Sequence, residues 1–365
     1  MKTVTIITLQ NIRNYGSVLQ ALATQVLFES LGCEVDFINY WREDTISLWA
    51  KACRCKQGAN FFQKLLAAII LAPTHLRQNY VFGRFLKKYL HVQKQRVSTP
   101  EDFKKNPITS DIYCTGSDQT WNSGWNQGLI KGLFLDFVPD SVKKIAYSAS
   151  MGKVKFDNWE KEENRKLLAR YNAISVREQA AVEAIEELGL KATHVLDPTL
   201  QMTRDYWLSM ASPKPKWGGY ILVYHLNKNK LFDKYAEEYA RRTGLRLCRL
   251  CFNYTQMRQS GKVILLPQVN DFVSYIANAK CVITDSFHAT AFSINLNTLF
   301  ISIYPNEFSS RIASILELTG LSDRHLTNFE DFSFIDKEID FTGANKTLEH
   351  ERLKAIDFLK NAINE

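Results

Sequence analysis

Residues 1–40, MKTVTIITLQNIRNYGSVLQALATQVLFESLGCEVDFINY, decide the fold class. Residues 2–8 (KTVTIIT) form a β-branched, mostly apolar run of strand length, the pattern of a buried strand. A polar turn through Asn14, Tyr15 and Gly16 follows, and Val18, Leu22, Val26 and Leu27 then recur at helical spacing up to Leu31. Gly32 stops the helix, and residues 34–40 (EVDFINY) read as the next strand. Strand, helix and strand in succession make a βαβ unit, the opening of a parallel α/β sheet.

The same grammar continues along the chain. Residues 112–115 end at Gly116, Ser117 and Asp118; residues 144–148 form another strand; residues 173–176 lead through Arg177 and Glu178 into a helix that stops at Gly189; residues 194–196 end at Asp197 and Pro198. In open parallel sheets ligands bind outside the carboxyl ends of the strands, so these polar residues are expected on one rim. Residues 212–219 (SPKPKWGG) hold two Pro and two Gly and read as a linker. Strand-like residues 220–225, 246–251, 263–266, 281–284 and 299–303 then alternate with helical patterns at 230–242, 271–278 and 288–295. The expected organisation is a first α/β domain over 1–211, the linker 212–219, a second over 220–345, and a C-terminal helix over 346–365 with Leu353, Ile356, Leu359 and Ile363 on one face.

The 365 residues carry a formal charge of +8, which at 45% hydrophobic content excludes a disordered chain and leaves the partner open. Residues 45–100 hold ten Lys and Arg and no Asp or Glu, so this stretch is +10 and the rest of the chain is −2. It is expected to be a basic helical insertion in the first domain: Val81, Phe82, Phe85, Leu86, Tyr89 and Leu90 form an apolar stripe flanked by Arg77, Arg84, Lys87 and Lys88. Such a helix either packs with a solvated basic face or lies at an anionic membrane surface. The apolar stretch 61–72 is broken by Gln63 and Lys64 and falls short of the ~20 residues of a spanning helix. Polar Gln10 and Asn11 arrive too early for a signal peptide, and seven scattered Cys suit reduced thiols, so a cytoplasmic protein is expected. The pair Cys248 and Cys251 has no second CxxC or His pair to complete a metal site, and no metal is expected.

Four stretches carry candidate chemistry. Residues 284–290 (TDSFHAT) join a strand end to a helix start, where free N–H groups and the positive end of the helix dipole favour an anion. Ser286 or Asp285 serves there as an N-cap, and His288 in the first helical turn is placed for anion binding or proton transfer. Residues 116–122 (GSDQTWN) fit a turn plus N-cap, and equally a sugar-binding rim in which Asp118, Gln119 and Asn122 hydrogen-bond hydroxyls and Trp121 offers a flat face. Arg177 suits a carboxylate or phosphate, or an ion pair with Glu178. Asn14 and Gly16 resemble a glycine turn that admits an anion at a helix start, while GxGxxG and Walker patterns are absent.

Taken in order, NYGSVLQALATQ (14–25), GSDQTWN (116–122), KIAYSASMG (144–152), ISVRE (174–178), VLDPTL (195–200) and TDSFHATAFSI (284–294) resemble the polysaccharide pyruvyl transferase family. One departure is Ala289, where the family usually has Gly after the His. The resemblance implies a glycosyltransferase-B-like fold of two facing Rossmann-like domains with the site in the cleft between them. It also implies phosphoenolpyruvate as co-substrate, with no further cofactor. The acceptor it implies is a sugar residue of a surface-polysaccharide precursor, such as an exopolysaccharide or capsule intermediate, and the product a pyruvate ketal plus phosphate.

On that footing His288 is the expected acid/base; Arg177, Ser286, Asn14 and Gly16 join it in holding the donor; and Asp118, Gln119, Trp121 and Asn122 face the acceptor, with Asp118 orienting or deprotonating a hydroxyl. A lipid-linked oligosaccharide acceptor would make peripheral contact with the inner face of the membrane useful. A nucleotide-sugar glycosyltransferase of the same architecture is the alternative. A nucleic-acid-binding protein is a further one, which lacks a binding motif and interleaved exposed aromatics; no nucleic-acid partner is expected.

Overall fold

The computed structural model describes residues 1–43, 47–56, 58–105, 107–305 and 309–364. The chain divides into two compact units, one comprising Met1–Gln201 with Glu351–Glu365 and the other Met202–His350.

The first unit is built on seven parallel strands, β1 (Thr3–Ile7), β2 (Glu34–Tyr40), β3 (Val92–Val97), β4 (Ile112–Thr115), β5 (Lys143–Ala149), β6 (Ala173–Val176) and β7 (Thr193–His194). Their spatial order is β3-β2-β1-β4-β5-β6-β7. The inner strands are buried on both faces, which is why they read as nearly continuous apolar runs. Helix α1 (Tyr15–Ser30) follows β1, and α2 (Leu48–Cys55) and α3 (Phe61–Tyr89) connect β2 to β3. Further on come α4 (Pro100–Lys105), α5 (Ser123–Asn126), α6 (Lys161–Leu168), α7 (Gln179–Glu186) and α8 (Pro198–Gln201). Helix α1 is buried on nearly every face, its buried Ser17, Gln20, Thr24 and Gln25 hydrogen-bonded and its start capped by Asn14.

The basic stretch is not wholly a helical insertion. Its start at Thr45 lies outside the described residues; α2 and α3 occupy most of it, and residues 92–97 (VQKQRV) form edge strand β3. The stretch is therefore the crossover of a βαβ unit plus its last strand. Exposed Lys94, Gln95 and Arg96 are tolerated because an edge strand has an open side, where charge also discourages pairing with another chain.

The second unit opens with α9 (Arg204–Met210), which the sequence reading assigned to the first domain. Its parallel strands are β8 (Tyr220–Tyr224), β9 (Arg246–Cys251), β10 (Lys262–Leu265), β11 (Cys281–Thr284) and β12 (Phe300–Ser302), in the order β10-β9-β8-β11-β12. Helices α10 (Lys230–Thr243), α11 (Val269–Ala277) and α12 (Phe287–Asn295) lie between these strands in the chain, and α13 (Ser310–Leu318) follows β12. The Pro/Gly-rich stretch after α9 is pinned to this unit: Ser212 N–H donates to the Asn270 carbonyl at 3.1 Å, and Trp217 stacks on Tyr275 at 5.7 Å.

The last helix, α14 (Thr342–Asn364), runs from the second unit into the first. Its buried positions are Ala344, Leu348, Glu351, Ala355, Leu359, Ala362 and Ile363, whereas Leu353, expected on the packed face, is 63% exposed. The stripe follows the spacing 348, 355, 359 and 362, which puts Leu353 outside.

Candidate functional site

In each sheet the chain reverses its direction of travel at one place, between β1 and β4 in the first unit and between β8 and β11 in the second. Such switch points leave a crevice beyond the strand ends because the flanking connections diverge to opposite sides.

At the first switch point the Asn14 side chain accepts the Gly16 N–H at 2.8 Å, so that amide is already engaged in capping α1. Ser17, one residue on, donates its hydroxyl to Asp118 across the switch. Gly116 at the end of β4 allows a close approach: a Cβ there would lie 3.0 Å from Thr8 Cβ and 3.2 Å from Ile6 Cγ2. Asp118 has φ of 76°, a left-handed conformation, and its carboxylate accepts the Gln119 N–H at 2.9 Å.

Arg177, beyond β6, is the hub of a buried network. Its Nη1 donates to Asp197 Oδ2 at 2.6 Å and to Ser117 Oγ at 3.3 Å, its Nε donates to Glu178 Oε1 at 3.3 Å, and its Nη2 lies 3.7 Å from Asp118 Oδ1. Burial alone would lower the Arg177 pKa, but Asp197, Glu178 and Asp118 outweigh it and raise it. Asp197 also accepts Thr199 N–H and Oγ1–H at 2.9 and 2.6 Å, and Ser150 donates to Glu178. One guanidinium among three carboxylates does not make an anion site, and its side chain is fully enclosed. The expectation that Arg177 grips an anionic donor is therefore corrected: its charge is answered by the protein's own carboxylates, one of which, Asp118, it helps to hold at the rim.

Trp121 is 1% exposed, stacked on Phe134 at 5.4 Å and met edge-on by Tyr171, with its indole N–H donated to the Leu133 carbonyl. The flat face expected for a sugar is turned into the core. Asn122 caps α5 by accepting the Trp125 N–H at 3.0 Å and donates to Gln119 Oε1, so it too is structural, while Gln119 is partly exposed. The motif instead braces a neighbouring cavity. Asn126 donates to the Gln119 and Thr120 carbonyls at 3.3 and 3.1 Å and accepts from Arg42 at 2.9 Å. Asn126, Arg42, Tyr40, Phe103, Lys131 and Asp136 are among the residues lining this space of about 730 Å³, which no sequence motif marked. Burial raises the pKa of Asp136 against the pull of Lys131 and Arg170.

The second switch point is organised by Asp285. Its Oδ1 accepts the Leu226 N–H at 2.7 Å and its Oδ2 accepts Asn227 N–H and Nδ2–H at 3.0 and 2.9 Å, which ties the loop after β8 to the end of β11. Ser286 caps α12 by accepting the Ala289 N–H at 3.4 Å. His288 is the second residue of α12, 7% exposed, with Phe287 edge-on to its ring at 5.2 Å. Ala289 is fully buried, its methyl belonging to the packing of the helix.

His225, at the end of β8, is a residue the motif search missed. It is buried beside Phe232, with Nε2 3.3 Å from Gln259 Nε2 and 3.9 Å from Asp233 Oδ1. Burial lowers its pKa despite Asp233 and Asp285. A polar residue directly after the apolar run 220–224 was its available signal. Among the described residues no group of three His, Cys, Asp or Glu could hold a metal ion, and no helix is long and apolar enough to cross a membrane.

Two parallel α/β units, each gathering polar side chains at its own switch point, define a glycosyltransferase-B-like fold. The crystal structure of a putative UDP-N-acetylglucosamine 2-epimerase from Listeria monocytogenes is similar at 12% identity and a TM-score of 0.50, over 96% of this chain and 90% of that one. The UDP-GlcNAc 2-epimerase from Neisseria meningitidis bound to UDP-GlcNAc is similar at 11% identity and TM-score 0.47, over 100% and 99% of the two chains. The E. coli heptosyltransferase WaaC with ADP follows at 13% and 0.40, over 88% and 98%. No curated protein matches the chain. The chain belongs to the polysaccharide pyruvyl transferase family, whose sequence model matches residues 14–307, and it is a transferase.

Proposed function

We propose that the protein transfers pyruvate from phosphoenolpyruvate to two hydroxyls of a sugar in a surface-polysaccharide precursor. The observation that carries this reading is the family match, which spans every motif from Asn14 to the His288 helix. The methylene carbon of the enolpyruvate is protonated to a methyl group, C2 becomes oxocarbenium-like, two acceptor oxygens bond to it, and phosphate leaves. Of the two hydroxyl protons displaced, one balances the new methyl proton and the other leaves with phosphate.

His288 supplies the acid/base group, and the start of α12, capped by Ser286, favours the donor's negative charge. Asp118, held by Ser17 and Arg177, accepts an acceptor hydroxyl's hydrogen bond, with Gln119 beside it. The excess of carboxylates there suits hydroxyls better than an anion, so Asp118 and Gln119 are assigned to the acceptor, and His288 and Ser286 to the donor. Asn14 and Gly16 act through the capping of α1. Arg54, Lys64 and Arg77, together with exposed Phe61, Phe62 and Ile69, support peripheral contact of α2 and α3 with an anionic membrane that presents a lipid-linked acceptor.

The test is incubation with phosphoenolpyruvate and candidate lipid-linked glycans, with products read by mass. The expected product gains one pyruvate less one water and releases phosphate, and His288→Ala lowers turnover about 10²- to 10⁴-fold. Nucleotide release from a sugar nucleotide, with phosphoenolpyruvate untouched, would overturn the reading.

A further inference from the structure

Two cations of the basic stretch, Lys51 and Arg96, come together with Arg13 from outside it. A cavity of about 300 Å³ is lined by Asn11 and Arg13 from the loop before α1, His75 and Asn79 from α3, Arg96 from β3, and Trp41. The Arg13 and Arg96 guanidiniums lie 5.5 and 4.3 Å from the centre of the Trp41 ring. Lys51 on α2 donates to Gln78 at 3.2 Å and adds a further charge near Arg13 and His75. Among the described residues no Asp or Glu lines this cavity.

We propose that this pocket binds a phosphate or diphosphate group. Several cations gathered without a lining carboxylate repel one another, and a polyvalent anion relieves that repulsion. The planar guanidiniums offer paired N–H donors that match phosphate oxygens. His75 Nδ1 is buried with no hydrogen-bond partner among the described residues, which leaves one ring nitrogen for a ligand. Burial first and neighbouring cations second lower Arg13 to about 10, Lys51 to about 8 and His75 to about 4. An anion in the pocket would oppose those shifts by offsetting the neighbouring cations.

Two sources supply such a group: a free phosphate or diphosphate, and the headgroup of an amphiphile reaching the exposed apolar side of α3. Only the second source rests on the transferase reading, and the assay contains no phosphoenolpyruvate, so its failure leaves that reading intact. The full chain is titrated with inorganic pyrophosphate by calorimetry while the His75 ring protons are followed by NMR. In parallel it is co-sedimented with phosphatidylcholine vesicles containing phosphatidic acid, with and without pyrophosphate.

Binding of pyrophosphate in solution, with the His75 pKa rising, supports the proposal and identifies a free anion. Binding only to phosphatidic acid vesicles, with His75 shifting in the same direction, supports it and identifies a headgroup. In either case Arg13→Gln with Lys51→Gln weakens binding about tenfold to hundredfold per cation, the size of a charge-assisted hydrogen bond. Binding equal in the folded double variant overturns the proposal, as does a wild-type His75 that titrates identically with and without the anion in both arms. The His75 readout serves even if the variant does not fold.

Discussion

Arg177 has no accessible guanidinium surface, yet three carboxylates from separate places in the first unit depend on it. Removing one partner from a buried ion network leaves the others uncompensated in a dry site, which costs about 3–5 kcal/mol. Arg177→Ala is therefore expected to lower unfolding stability by about that amount, read from the urea midpoint; a variant as stable as wild type would show that the carboxylates need no cation. Little of this was legible in the sequence. The local pairing with Glu178 was, because the two are adjacent, but Asp118 and Asp197 are brought to Arg177 only by the order of β4, β6 and β7. Trp121 shows the complementary failure. Its type and its place after a strand suggested a sugar platform, whereas the direction of its ring is set by Phe134 and by the more distant Tyr171, neither part of the motif. His288 needed only local information, since a strand end, a capping Ser and a helix start are all written within 284–290.

Among the elements, the loop after β5 holds the 116–122 motif in place through Gly152. Gly152 has φ of +63°, and a Cβ there would lie 2.2 Å from Asn122 Nδ2 and 2.8 Å from Gln119 Oε1. Gly152→Ala combines backbone strain with displacement of both side chains, so a loss of about 1–3 kcal/mol is expected in thermal or chemical melts. An unchanged melt would mean that Gln119 and Asn122 can swing away at no cost. Parallel strands were the most legible elements because burial on both faces leaves long apolar runs, as in β1 and β8. Strand β3 was not, because its edge position permits Lys94 and Arg96, and its composition matched the basic helices before it. The stretch 212–219 read as a linker from its Pro and Gly content, which reports the absence of regular structure but not the bonds to Asn270 and Ser274 that fix it.

For the molecule as a whole, the charge of +8 divides into a slightly acidic body and one strongly basic crossover. Helix α3 exposes Phe62, Leu66, Ile69 and Leu76 beside that charge, a combination suited to an interface of anionic headgroups and hydrocarbon. Each basic residue near such a surface contributes about 1 kcal/mol at most, and salt screens it. Co-sedimentation with phosphatidylglycerol vesicles is expected at low salt, weakening as salt rises and again in Phe62→Ser with Ile69→Ser; retention that ignores both changes would reject membrane contact through α3. The course of α14 has a separate consequence, for synthesis. The second unit is one continuous stretch, Met202–His350, whereas the first needs Glu351–Glu365, with Lys2 and Lys143 both donating to the Ile363 carbonyl. On the ribosome, where domains generally form as their residues emerge, the unit that begins first is completed last. Its seven-stranded sheet must wait for the whole of the second unit to be translated before its closing helix is available.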